Sequence, residues 1–234
     1  MQEFTQRQLQ TNKHNVKQKK KRVLYGSIFL IISILCLIRL LYVFQLIPHA
    51  KYDNKHFGIE TYKSSIDNDN DGIDDQTDIL QGVRDYIATK PKYKSVYYAG
   101  GYSNDEYGVC TDVVAHGLRT AGYDLMYLVD EHIKANLMDY EIEKPDKNID
   151  FRRVRNLYVY FKATAIELTT DIYQIEEWQG GDIIVFKKHI GIVSDKRNAK
   201  GVPFIIHHGS SAQKGYEQDI LEYRDDIIGH FRVS

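Results

Sequence analysis

The stretch Tyr107-Gly108-Val109-Cys110-Thr111-Asp112 runs straight into Val113, Val114, Ala115, Leu118 and Ala121. Those apolar residues recur on one face at helical spacing, which predicts a helix beginning at Cys110. Gly108 gives the chain a flexible entry, and Thr111 or Asp112 stands beside the unpaired N–H groups of the first turn. A thiol at that end feels the positive pole of the helix dipole, which lowers its pKa and favours a thiolate nucleophile. The competing expectation is a small, buried, inert side chain, as most free cysteines are.

The other cysteine, Cys36, lies inside an apolar segment, so the two are not expected to meet and a disulfide framework is excluded. With 234 residues the chain has room for one domain of ordinary size plus extensions. Its formal net charge of −1 is unevenly spread. In residues 1–22, Arg7, Lys13, Lys17, Lys19, Lys20, Lys21 and Arg22 face Glu3 alone, and Arg39 is the only charge between 23 and 47. The chain from residue 48 onward is therefore acidic, which argues against nucleic acid as a partner, since that needs a basic footprint.

Residues 1–22 show no apolar period and are expected to form a disordered basic tail on the cytoplasmic side. From Val23 to Ile38 every residue is apolar or small, and Leu40-Leu41-Tyr42-Val43-Phe44 extends the run towards Ile47. At about 1.5 Å per residue, a helix over 23–47 clears a hydrocarbon core of roughly 30 Å. Arg39 can snorkel to the interface, where Tyr42 and Phe44 also fit. The run is long for a signal peptide and no small-x-small cleavage site follows it, so an uncleaved transmembrane anchor in the bilayer is expected. The lysine cluster ahead of it holds the N-terminus in the cytoplasm, which places the main domain outside.

Residues 48–66 read as a juxtamembrane linker. In 67–78 the sequence becomes Asp67-Asn68-Asp69-Asn70-Asp71-Gly72-Ile73-Asp74-Asp75-Gln76-Thr77-Asp78. Oxygen ligands fall at positions 1, 3 and 5, glycine at 6, an apolar residue with its carbonyl at 7, and carboxylates at 9 and 12. This is the spacing of a Ca²⁺ loop, with Asp78 where glutamate is usual. Asp67, Asp69, Asp71, Ile73, Asp75 and Asp78 are the expected ligands of a structural Ca²⁺; the alternative is a solvated turn.

A helix is expected from Asp78 to Lys90-Pro91, then a Tyr- and Gly-rich loop over 93–107, and a further helix over 124–139. A turn at Pro145-Asp146-Lys147-Asn148-Ile149-Asp150 leads into an apolar stripe of Val154, Leu157, Tyr158 and Phe161. Arg152 and Arg153 could hold a carboxylate, of the substrate or of the protein itself, and are expected to satisfy neighbouring carboxylates. After Glu177 the pattern changes to short strands joined by tight turns: Ile183-Ile184-Val185-Phe186, His189 to Asp195, Pro203 to His208, and Ile227 to Val233. Helices first and an antiparallel sheet second give an α+β fold over 79–234.

A cysteine hydrolase needs a thiolate, an imidazole within reach, and a polar group that orients the imidazole. Cys110 and His189 form a candidate pair, with His207 or His208 on the adjacent strand as orienter. Cysteine at a helix start, then Gly181-Asp182-Ile183, then His189-Ile190-Gly191-Ile192-Val193, resembles the NlpC-type and amidase-type branches of the papain-like cysteine peptidases. Together with Pro145-Asp146, Asn148-Ile149-Asp150 and Arg152-Arg153-Val154, these blocks resemble a bacterial domain-of-unknown-function family assigned to the same clan, from about Asp74 to the C-terminus.

The resemblance implies a papain-like (NlpC-type) fold, Cys110 as nucleophile, His189 as base, and a histidine of the next strand, taken as His207, as orienter. The oxyanion would be held by the Cys110 N–H and Tyr98. The implied activity is that of a membrane-anchored extracytoplasmic peptidase or amidase acting on peptidoglycan peptides. The alternatives are a non-catalytic cell-wall or protein-binding module of the same fold and, more distantly, an acyl transferase using the same pair.

Overall fold

Glutamine, lysine and arginine are good helix formers, and they carry helical structure back through the basic tail: α1 runs Gln2–Val43. The structure is a computed structural model that describes residues 2–233, with side chains from residue 17 onward. The tail expected to be disordered is thus helical. Within α1, Lys17–Val43 is long and apolar enough to cross a membrane, a property that a signal sequence shares. Residues 1–48 and 49–234 form two separate units.

The second unit begins earlier than the sequence suggests. Residues 49–66, expected to be a linker, fold as part of the domain. His49 Nδ1 lies 2.8 Å from Asp219 Oδ2, and Tyr52 bridges to Arg197. Asn54 is buried, with its Nδ2 donating to Gln179 Oε1 at 3.0 Å. A polar segment is held here because the buried Arg197 guanidinium needs acceptors that the sheet does not supply.

Helix α2 spans Asp75–Ala88, starting three residues before the expected Asp78, because the Asp74 carboxylate caps the Thr77 N–H at 3.2 Å. It is followed by the short parallel pair β1 (Lys92–Tyr93) and β2 (Tyr107–Gly108), then α3 (Cys110–Thr120) and α4 (Leu125–Ala135). The short α5 (Lys147–Asp150) and then α6 (Val154–Thr164) complete the helices.

The sheet contains β3 (Ile166–Glu167), β4 (Ile183–Phe186), β5 (His189–Arg197), β6 (Pro203–Ile206), β7 (Glu217–Gln218) and β8 (Ile227–Arg232). It is antiparallel throughout, in the order β3-β8-β4-β5-β6-β7. The α+β expectation holds, and the two-residue strands β3 and β7 are additions that no apolar run announces. Alternation sorts the sheet residues onto two faces. Ile183, Val185, Ile190, Ile192, Ile206 and Phe231 share one core with α2, α3, α4 and α6. Ile184, Phe186, Val193 and Ile205 pack on the other side against Trp178, Val202 and Leu221.

Candidate functional site

Helix α3 starts at Cys110 because Asp112 turns its carboxylate back to the Val109 N–H, 2.8 Å away. That carboxylate is then clamped by Arg152, whose Nε and Nη2 donate to its two oxygens at 2.8 and 2.9 Å. Both side chains are nearly inaccessible, and the guanidinium also lies 4.9 Å over the Tyr98 ring. Arg152 is structural, as expected, but its partner is the first turn of α3 rather than the acidic turn beside it. Gly108 is required for space: a Cβ there would stand 2.0 Å from the Tyr86 hydroxyl oxygen.

The Cys110 thiol packs against the helix-side core, with the Ile190 main chain directed at its sulfur. Burial pushes the thiol up to about 11, and the Ile190 and Thr111 backbone only partly offsets it. The helix dipole was expected to lower this pKa; desolvation of the charged form overrides it. The resting side chain is a protonated thiol.

His189 opens β5 and His207 follows the last residue of β6. Their rings meet edge-on at 85°, with His189 Nε2 and His207 Nδ1 2.9 Å apart. Gly191 permits this approach, since a Cβ there would lie 2.9 Å from the Ile206 carbonyl oxygen and 3.2 Å from the His207 Cβ. Burial lowers His189 to about 4 and His207 to about 3, and each ring is neutral at pH 7. Between two neutral rings one nitrogen donates and the other accepts.

Strand alternation separates these rings from the helix side. His189 pairs with Phe186 and stacks on it at 5.9 Å, on the face opposite Ile190. His207 shares the face of Ile205, while His208 shares that of Ile206, with Asp112 among the charges acting on it and Tyr93 and Tyr216 against its ring. The structure therefore brings His189 and His207 together and sets Cys110 beside the residue that follows His189. Among the described residues no direct hydrogen bond joins the thiol to the His189 ring. Tyr98, the expected oxyanion donor, gives its hydroxyl proton to Asp105 Oδ1 at 2.6 Å, so that proton is already engaged.

Asp182 of the Gly181-Asp182 block is fully buried and accepts from Gln76, His230 and Arg232 as well as the Gln179 N–H. It is a structural hub joining α2, β4 and β8. Gly181, at φ 97°, makes the turn before it. A cleft of about 340 Å³ between residues 53–62, α2, Gly180 and Asp195 contains none of the candidate catalytic residues.

In the 67–78 loop, Asp67, Asp69 and Asp71 bring carboxylate oxygens within 4.8 Å of one another. Asp75, expected as a ligand, spends one oxygen on the Asn68 N–H at 2.8 Å and the other on the Tyr123 hydroxyl. Asp78 is buried behind the loop in the first turn of α2, and Ile73 is exposed at position 7.

Residues 80–233 match the family model described as "Domain of unknown function (DUF1287)". The chain belongs to the DUF1287 family. Within the DUF1287 match lie Tyr98, Cys110, Asp182, His189 and His207, while the 67–78 loop precedes it. The uncharacterized protein YijF of Escherichia coli (strain K12) is similar, 36% identical over 168 residues that cover 66% of this chain and 80% of YijF. No solved structure matches the chain.

Proposed function

We propose that this DUF1287 domain is a membrane-anchored, extracytoplasmic cysteine hydrolase of the papain-like kind that cleaves amide bonds in peptidoglycan peptides. The observation that carries the reading is the His189–His207 hydrogen bond. If His207 Nδ1 accepts from His189 Nε2–H, the remaining His189 nitrogen, Nδ1, keeps its lone pair and is free to act as a base. That ring belongs to the residue preceding Ile190, whose main chain approaches the Cys110 sulfur.

In this mechanism Cys110 Sγ attacks the amide carbonyl while its proton passes to His189 Nδ1. His189 then protonates the leaving amine, a thioester forms, and water activated by the same nitrogen releases the acid. His207 holds the ring. The Cys110 N–H at the helix start is the oxyanion donor. Because the thiol rests protonated and the His189 ring lies on the other face of its strand, this reading requires substrate arrival to turn the ring towards the sulfur. The anchor is α1, and the lysines before its apolar part favour an outside domain.

A second reading, a non-catalytic wall-binding module, draws support from the protonated, partly buried thiol and from its lack of a hydrogen bond to His189. Digesting purified peptidoglycan with the full-length chain in detergent micelles and weighing the fragments separates the two. New peptide fragments that disappear with Cys110→Ala support hydrolysis. Retention of intact peptidoglycan by both proteins, without fragments, supports binding alone.

A further inference from the structure

The loop before α2 crowds three carboxylates around a turn held by backbone donors. Asp67 accepts the Asp71 N–H at 3.1 Å and the Gly72 N–H at 2.9 Å, and Asp71 accepts the Ile73 N–H at 2.8 Å. These contacts turn the three clustered carboxylates inward and leave each with spare acceptor capacity. Gly72 adopts φ 95° in open space, with nothing within 4 Å of an added Cβ, so the backbone turn alone requires glycine there.

The independent observation is Asp78. The residue is 4% exposed, and its Oδ2 is inaccessible and has no hydrogen-bond partner. Besides burial, the charges acting on it are those of Asp71, Asp69, Asp67 and Asp75. Among the described residues none of Asp67, Asp69, Asp71 and Asp78 joins an ion pair. Asp78 Oδ2, buried without a donor and in the field of the three crowded carboxylates, is an acceptor that a cation would satisfy.

We infer that Asp67, Asp69, Asp71, the Ile73 carbonyl and Asp78 bind one Ca²⁺, which ties the start of α2 to the turn after α3. The second half of that statement rests on four contacts. Asp75 bonds Asn68 and Tyr123, Asn68 Nδ2 donates to the Ala121 carbonyl at 3.3 Å, and a Cβ on Gly122 would lie 3.0 Å from the Asp69 Cβ. Position 9 of such loops often reaches the ion through water, which suits an Asp75 already engaged. All-oxygen ligation with a flexible count favours Ca²⁺ over Mg²⁺, which demands rigid octahedral geometry. The inference is independent of whether Cys110 is a nucleophile.

The test is calcium titration of the full-length chain in micelles after chelator treatment, followed by calorimetry and by amide exchange of the first turn of α2. One Ca²⁺ should bind with Kd about 10⁻⁴ to 10⁻³ M, the range of extracellular modules. Thermal midpoint should rise with Ca²⁺, and exchange at Asp75–Ile79 should slow. The exposed Asp69→Asn should fold normally without Ca²⁺ yet weaken binding roughly tenfold or more, since affinity follows ligand charge. Asp78→Asn should do the same. No heat, no midpoint shift and no change in exchange at Ca²⁺ well above that range overturns the site, as does full retention of binding in both variants. Equal affinity for Mg²⁺ overturns the assignment to calcium.

Discussion

His189 Nε2 and His207 Nδ1 stand 2.9 Å apart, linking the first residue of β5 to the residue that follows β6. Of two neutral imidazoles in this geometry one donates and the other accepts, so the tautomer of His189 is coupled to that of His207.

Replacing His207 with alanine removes that acceptor. We expect kcat on peptidoglycan peptides to fall by on the order of 10²-fold with KM little changed, the scale of a lost proton-transfer contribution. Steady-state kinetics on a defined stem peptide check this. An unchanged kcat would show that His207 does not orient the base.

A thiol pushed up to about 11 and a histidine lowered to about 4 are both neutral across the physiological range. Iodoacetamide labelling of Cys110 in the absence of substrate should therefore rise steadily with pH up to alkaline values. A plateau already reached below pH 7 would mean a resting thiolate–imidazolium pair and would contradict the burial argument.

Acid stability follows from the same burial. His189 titrates near 4 when folded and near its ordinary 6.5 when unfolded, so between those values the unfolded chain binds more protons. Its contribution is complete above about pH 6.5 and is lost as pH falls towards 4. Asp182 adds a second loss lower down. Burial alone would raise its pKa, but His230 and Arg232 outweigh it and hold the carboxyl below its ordinary 3.8. Thermal midpoints measured from pH 7 to pH 3 should fall in both windows, and His189→Gln should flatten the upper one.

Asn54 tests the place of the 49–66 segment. The fully buried Arg197 donates Nε to Asn54 Oδ1, Nη1 to the Ile175 and Gly201 carbonyls at 2.9 and 2.8 Å, and Nη2 to the Trp178 carbonyl. Asn54→Ala leaves a charged donor buried without its acceptor, at a cost of about 1.5–3 kcal/mol. Urea unfolding should report that loss with an unchanged m-value. No loss would mean that the segment is peripheral.

The helix at Cys110 and the run of short strands that pair antiparallel were legible because local periodicity and tight turns decide them, whereas the insertion of β8 between β3 and β4 was not. The state of the thiol was not, because desolvation by the helix-side core outweighs a dipole that the sequence makes visible. Alternation in His189-Ile190-Gly191 already puts His189 and Ile190 on opposite faces, but which face meets α3 depends on packing. The tethering of residues 49–66 was hidden for a similar reason: Arg197, some 140 residues away, supplies the donors that hold Asn54. The roles of Asp182 and Arg152 emerge only with their buried partners, whereas the crowding of Asp67, Asp69 and Asp71 follows directly from their spacing.

The central claim is that Cys110 forms a covalent acyl intermediate with the help of His189. Incubating the protein with a stem peptide, quenching in acid and mapping adducts by mass spectrometry tests it directly. The account predicts an acyl mass on the fragment containing Cys110, absent in Cys110→Ala and strongly reduced in His189→Ala. Peptide cleavage that persists in Cys110→Ala, or an adduct level indifferent to His189, would contradict it.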